Sequence, residues 1–224
     1  MRRWVFTLIV AALLVAAGLS VLGLRGGLRR SSLRSVRGTS AGSPNIVVIV
    51  MDTARRDRLS CYGYPRATSP RLDGLADEST IFTRAYSTSS WTSPAHASLF
   101  TGLYPASHAV TQEHWRMNQG LVTLAEVLSE HGYDTIGIVE NAIHSAEHGF
   151  AQGFSEYHVT ARMQRFLDRA RSLGRSETGN LAADRFLESI RAGGQGSPFF
   201  VFVNLIAPHQ PYDSSGRFMG EFLT

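Results

Sequence analysis

Asp52 follows the apolar run NIVVIVM (45–51), and His209 follows a second such run, PFFVFVNL (198–205), in a proline-bounded loop. In open α/β sheets, ligands collect at the carboxyl ends of the strands. A carboxylate placed there is a hard oxygen ligand for a divalent cation. An imidazole there can donate to an anion or bind a metal. Taken singly, Asp52 also fits a helix cap or turn residue and His209 a loop histidine. A third element is SSWTSPAHASLFTGLYP (89–105). Ser93 is the expected N-cap and Pro94 the first helical residue, with the helix running to Gly102. Thr92 then stands just before the cap, at the positive end of the helix dipole, where free N–H groups favour an anion. A hydroxyl in that position can serve as a nucleophile toward phosphorus or sulfur. Its plainer alternative is a second capping hydroxyl.

These residues need elements to hold them. The two apolar runs are rich in β-branched and aromatic residues, and the first is continuous enough to predict a strand buried on both faces. LVTLAEVLSEHG (121–132) has helical apolar spacing and ends in Gly132, a C-cap signal. YDTIGIVE (133–140) predicts a strand, and NLAADRFLESIRAGG (180–194) predicts a helix with Asn180 at its N-cap. Residues 141–180 read as loop with short helix. Strands alternate with helices, so the expected class is α/β.

Composition narrows the function classes. Of 22 basic and 18 acidic residues, seven arginines and no acid fall in residues 1–43, leaving 15 basic against 18 acidic in the rest. A nucleic-acid face needs clustered cations on the folded part, so no nucleic-acid partner is expected. Cys61 is the single cysteine, which excludes an intrachain disulfide and a cysteine metal cluster. Residues 4–24 are uncharged and as a helix would extend roughly 30 Å, enough to span a bilayer core. They read as a signal anchor or a cleaved signal (1–24), followed by a flexible Arg/Gly/Ser linker (25–43). The expected location is membrane-anchored or secreted, outside the cytoplasm. Five arginines after the run against two before it pull the other way under the positive-inside bias.

Residues 44–87, from PNIVVIVMDTARRDRL through SPRLDGLA to FTRAYS, resemble the opening of the sulfatase family of the alkaline phosphatase superfamily. TSPAHASLFTGLYPASHAV (92–110) resembles its nucleophile motif. HGYDTIGIVENAIHSAEHGFAQGFSEY (131–157) and FVFVNLIAPHQPY (200–212) resemble two later landmarks. The resemblance covers residues 44 to 224. It implies an alkaline-phosphatase-like central sheet flanked by helices, a Phe-containing strand near residues 81–87, and one divalent metal ion (Ca, Mg, Mn or Zn). Asp52 and Thr92 would be metal ligands, and Thr53 stands where some relatives have a second metal-binding Asp. Thr92 would also be the nucleophile, and His209 would contact the transferred group or the leaving oxygen. His96 replaces the arginine of the nucleophile motif. Asn141 lies near a lysine of arylsulfatases, His144 near a histidine there, and His108 where many relatives have a histidine. The implied partners are an anionic ester substrate and, through the N-terminal run, a membrane.

The departures direct the chemistry. Threonine cannot become formylglycine, the nucleophile of true sulfatases, whereas lipid phosphoglycerol and phosphoethanolamine transferases of similar sequence use Thr directly. The resemblance therefore implies attack by Thr92 on a phosphoester, through a phospho-threonine resolved by water or an alcohol. Sulfate esters stay open because the SWT-x-P-x-H form also resembles members described as sulfatases. The family's downstream Asp-His or Asp-Asn pair is not found, so the chain reads as the N-terminal portion of a longer enzyme. The competing reading is a truncated or degenerate relative that binds an anionic ligand or partner at a membrane without turnover.

Overall fold

The computed structural model describes residues 43–159 and 198–209. The chain divides into Met1–Gly38 and Thr39–Thr224, and every described residue belongs to the second unit. The runs at 4–24, 25–42 and 180–194 lie outside the described residues. Among the described residues no helix is long and apolar enough to cross a membrane.

The elements in chain order are strand β1 (Ile46–Met51), helices α1 (Pro70–Asp77), α2 (Thr92–Thr101), α3 (Pro105–His108) and α4 (Leu124–Glu130), then strands β2 (Asp134–Val139), β3 (Glu156–Val159) and β4 (Phe199–Leu205). Single turns of 3₁₀ helix at Arg56–Arg58, Ser60–Tyr62, Ala142–His144 and Ala146–His148 fill the connections. The four strands are all parallel, in the order β1-β4-β2-β3. This confirms the α/β class and the three expected strands. It also adds β3, which was expected as loop. EYHV has neither the length nor the apolar run of a strand, and its pairing with β2 at Ile136↔Glu156 through Val139↔Val159 makes it one.

Residues alternate between the two sheet faces. Phe200 and Phe202 of β4 and Val139 of β2 share one face and pack with Ala97 and Phe100 of α2, Ala125 of α4 and Phe150. Val201 and Val203 share the other face with Ile136 and Ile138. β1 departs from the expected burial on both faces. Among the described strands it lies at the edge, and Val47 and Ile49 on the second face are 41% and 55% exposed. The expected strand near residues 81–87 is likewise absent: Ile81 and Phe82 are exposed, and their backbone joins no ladder among the described residues.

Gly137 sits in the middle of β2 because Tyr157 of β3 needs the space. A Cβ there would overlap the Tyr157 ring. The accommodated Tyr157 donates its hydroxyl to the His144 carbonyl at 2.7 Å, tying the sheet to the turn that carries His144.

Candidate active site

Asp52 emerges from the carboxyl end of β1 and is held there by backbone. Its N–H donates to the Leu205 carbonyl of β4 at 2.8 Å. The chain then turns sharply, with Ala54 N–H donating to the Met51 carbonyl at 3.3 Å. Thr53 occupies the turn at φ 57°. A β-branched residue in the left-handed region is strained by about 1–3 kcal/mol, and such strain concentrates at functional sites. Its hydroxyl donates to the Pro208 carbonyl at 3.2 Å. Thr53 thus bridges the loop after β1 to the loop after β4 and sets His209, whose own N–H turns back to Ile206 at 2.9 Å, beside the same end of the sheet.

Asp52 is buried, 7% exposed. Asn141, two residues beyond β2, donates Nδ2 to its Oδ2 at 3.4 Å. A carboxylate only accepts, so the amide nitrogen faces it. No arginine or histidine forms an ion pair with Asp52 among the described residues. A buried carboxylate without a cation is expensive, so this donor fits a hard divalent cation. The described residues contain no group of three or more His, Cys, Asp or Glu able to enclose one, so hydroxyl oxygens would have to contribute.

α2 begins two residues earlier than its sequence signals indicate. Trp91 is the N-cap, Thr92 the first helical residue, and Ser93 and Pro94 follow inside the first turn. No side chain caps this end. The unpaired N–H groups of the first turn are therefore open, and Pro94, which lacks one, adds no further donor. Thr92 is half-buried at this open end.

His96 lies one turn further on and is turned inward rather than toward the mouth. Its Nδ1 is 2.9 Å from the Thr92 carbonyl, while Nε2 is buried without a hydrogen-bond partner. Burial holds its pKa below the ordinary imidazole value, outweighing the Thr92 carbonyl and the Asp52 carboxylate, which both favour the cation. His144 packs against it, ring centroids 4.0 Å apart and tilted by 43°. Only 1% exposed, His144 is pushed further down, first by burial and then by His96 and His148. The Thr92 carbonyl is near enough to oppose this slightly, without completing a hydrogen bond. His108, expected at the site, instead locks α3 onto α2. Its Nδ1 accepts from Val110 N–H at 3.0 Å, so Nε2 carries the proton and donates to Ser98 Oγ at 3.0 Å.

The fold therefore gathers Asp52, Asn141, Thr92, His96 and His144 at one end of the sheet and ties the His209 loop to it through Thr53. The family's sequence model for Sulfatase matches residues 44–224. The chain belongs to the sulfatase family. The sulfatase-family chain is 36% identical over 107 residues to an N-acetylgalactosamine-6-O-sulfatase of Bacteroides thetaiotaomicron, covering 46% of this chain and 21% of that protein. A solved complex of a protein with its substrate D-glucosamine-2-N,6-O-disulfate superimposes with TM-score 0.67 at 22% identity, covering 80% of this chain and 37% of the other. A phosphonate monoester hydrolase of Agrobacterium radiobacter superimposes with TM-score 0.60 at 22% identity, covering 79% and 43%. The sulfatase-family chain spans well under half the length of the curated relatives it matches, 21% in the first case and 35% in an iduronate 2-sulfatase of Mus musculus.

The sequence reading missed Asn204, Tyr157 and Glu140. Asn204 had a signal, a lone amide inside the apolar run FFVFVNL. Glu140, whose Oε2 accepts from Ile206 N–H at 2.8 Å, had none, since its partner lies 66 residues away.

Proposed function

We propose that this protein is a metal-dependent hydrolase or transferase of sulfate or phosphate esters, with Thr92 as nucleophile and a preference for phosphoesters. What carries this reading is the uncapped amino end of α2, with Thr92 at its first position, and the Asp52 carboxylate at the end of the sheet with no ion pair among the described residues. Threonine, a secondary alcohol, cannot be oxidised to the aldehyde of formylglycine, and direct attack by its oxygen suits phosphorus.

Thr92 Oγ attacks the central atom in line. The new oxygen–phosphorus bond forms as the bond to the leaving oxygen breaks, the Thr92 proton passes to solvent, and His209 gives the leaving oxygen a proton. The free N–H groups of the first turn donate to the non-bridging oxygens. Water or an acceptor alcohol then displaces Thr92 and restores its hydroxyl. A divalent cation, held by Asp52 and the Thr92 hydroxyl when bound, would supply Lewis-acid stabilisation of the developing charge. Asn141 orients Asp52, and Thr53 joins the two loops instead of serving primarily as a ligand. The N-terminal run 4–24 anchors or exports the protein, so that residues 44–224 act outside the cytoplasm.

The test is turnover of nitrophenyl sulfate, nitrophenyl phosphate and bis-nitrophenyl phosphate, before and after chelation. The expected result is fastest turnover of the diester, lost with chelator and regained with a divalent ion. Turnover of the sulfate alone would overturn the phosphoester preference, and full activity after chelation would remove Asp52 as a ligand. Saturable phosphate binding with no turnover corresponds to the non-catalytic alternative. Protease protection in intact cells reports the side of the membrane.

A further inference from the structure

Three buried side chains on the α2 side of the sheet carry polar atoms without hydrogen-bond partners. Asn204 in β4 is completely buried, and neither its Oδ1 nor its Nδ2 is bonded. The register sets it between Val50 of β1 and Val139 of β2. By alternation it shares the face of Phe200 and Phe202, which packs under α2. Two residues beyond Val50 and Val139, past the ends of β1 and β2, stand Asp52 and Asn141. His96 lies edge-on to Phe202, ring centroids 5.8 Å apart, and against His144. His96 Nε2 and both ring nitrogens of His144 complete the unpartnered set.

The protonation pattern limits what can fill this space. The Thr92 carbonyl only accepts, so His96 Nδ1 carries the proton and Nε2 is a lone pair that needs a donor. Neutral His144 has one donor and one acceptor nitrogen, and no hydrogen bond joins it to His96. The Asn204 amide offers two N–H groups and one carbonyl oxygen. Left dry, these atoms would have forfeited hydration without return. An anion would not satisfy the Nε2 lone pair, and a metal cation could not take the Asn204 N–H groups. Water donates twice and accepts twice, and buried polar groups of this kind are the ones ordered water serves.

We infer that Asn204, His96 and His144 surround a buried hydration site beneath the Asp52–Asn141 pair, in which ordered water donates to His96 Nε2 and accepts from Asn204 Nδ2. The water holds the His96 ring with Nδ1 toward Thr92 and so steadies the first turn of α2. Asn204 is thereby a positioning residue for that turn.

Asn204→Leu, close in volume, separates the outcomes. In a hydrated site it strands His96 Nε2 and the water, and the melting temperature falls by at least about 3 °C. In a dry one it removes two stranded atoms, and a melting temperature equal to or above that of the unchanged protein overturns the inference. Asn204→Ser, which keeps a donor and leaves room for water, is expected to recover part of the fall, and no recovery counts against the inference. A high-resolution crystal structure of the unchanged protein needs no variant to fold. Water within about 2.7–3.2 Å of both Asn204 Nδ2 and His96 Nε2 supports the site. A dry void or an anion there overturns it. None of these measurements depends on turnover, so the functional proposal can fail without touching this one.

Discussion

Two helices of this protein start on a threonine, and they use it differently. At α4, Thr123 is the N-cap of a complete capping box: its hydroxyl accepts from Glu126 N–H at 3.1 Å, and Glu126 accepts from Thr123 N–H at 2.8 Å. The Thr123 hydroxyl also donates to the Gln152 carbonyl at 3.0 Å, and Gln152 Nε2 returns to Glu126 at 2.8 Å. The Thr123 hydroxyl and N–H both have partners there. At α2, Thr92 stands inside the helix, the N-cap is Trp91, and no side chain closes the end. The same residue type is structural at one helix and left available at the other. Forgoing the cap at α2 gives up about 1 kcal/mol that a capping side chain would contribute. What remains at that end is a set of uncapped N–H donors and the Thr92 hydroxyl, and a helix end of this kind favours an anion.

The contrast makes its largest prediction at Thr92. Thr92→Ala is expected to lower turnover roughly 10³-fold or more while the melting temperature stays close to that of the unchanged protein. Steady-state kinetics beside a thermal melt checks this, and unchanged turnover would remove Thr92 from the mechanism. Gly137→Ala comes next. Its new methyl would overlap Tyr157 and disturb the bond to the His144 carbonyl, destabilising by about 1–3 kcal/mol in urea titrations. An unaffected midpoint would show that Tyr157 can shift freely. Thr123→Ala should cost about 1–2 kcal/mol with the catalytic rate constant unaltered, since its partners are all structural. A large loss of turnover with intact stability there would erase the distinction between the two threonines.

The smallest effect is a pH dependence. His96, His108 and His144 all have pKa values lowered below 6.5, in each case chiefly by burial. A histidine held neutral in the folded state takes up its proton first in the unfolded chain. Its contribution is therefore fully present above about pH 6.5 and is lost as the pH falls below that value toward the lowered folded pKa. Urea midpoints measured from pH 8 to 5 should decline over the acidic half. The decline should be shallower in His108→Gln, whose site at Ser98 and Val110 lies apart from the proposed chemistry. A midpoint that does not move with pH would mean that these rings are solvated.

Much of the scaffold was legible because it depends on local pattern. Three strands announced themselves as apolar β-branched runs, and α4 through its spacing and Gly132. The candidate site was legible in part. Asp52 and His209 follow strand ends, a placement that the sheet topology bears out. The inward turn of His96 was not legible, because a histidine one turn into a helix can face either way until Phe202 and His144 occupy its surroundings. His108 gave no sign that Ser98 and the Val110 backbone would engage both of its nitrogens.

By itself the sequence determined the α/β class, the places where strands deliver Asp52 and the His209 loop, and a threonine rather than a cysteine at position 92. These are matters of residue type and near-neighbour spacing. Tertiary structure alone decided that β1 lies at the edge of the described strands, that EYHV becomes a strand, that Thr53 bridges two loops, and that Asn204 and His96 keep buried polar atoms without partners. Each of these depends on which distant backbone or side chain arrives alongside. A lone amide in an apolar run says that something polar is buried, and only the neighbouring helix shows which atoms it is left to satisfy.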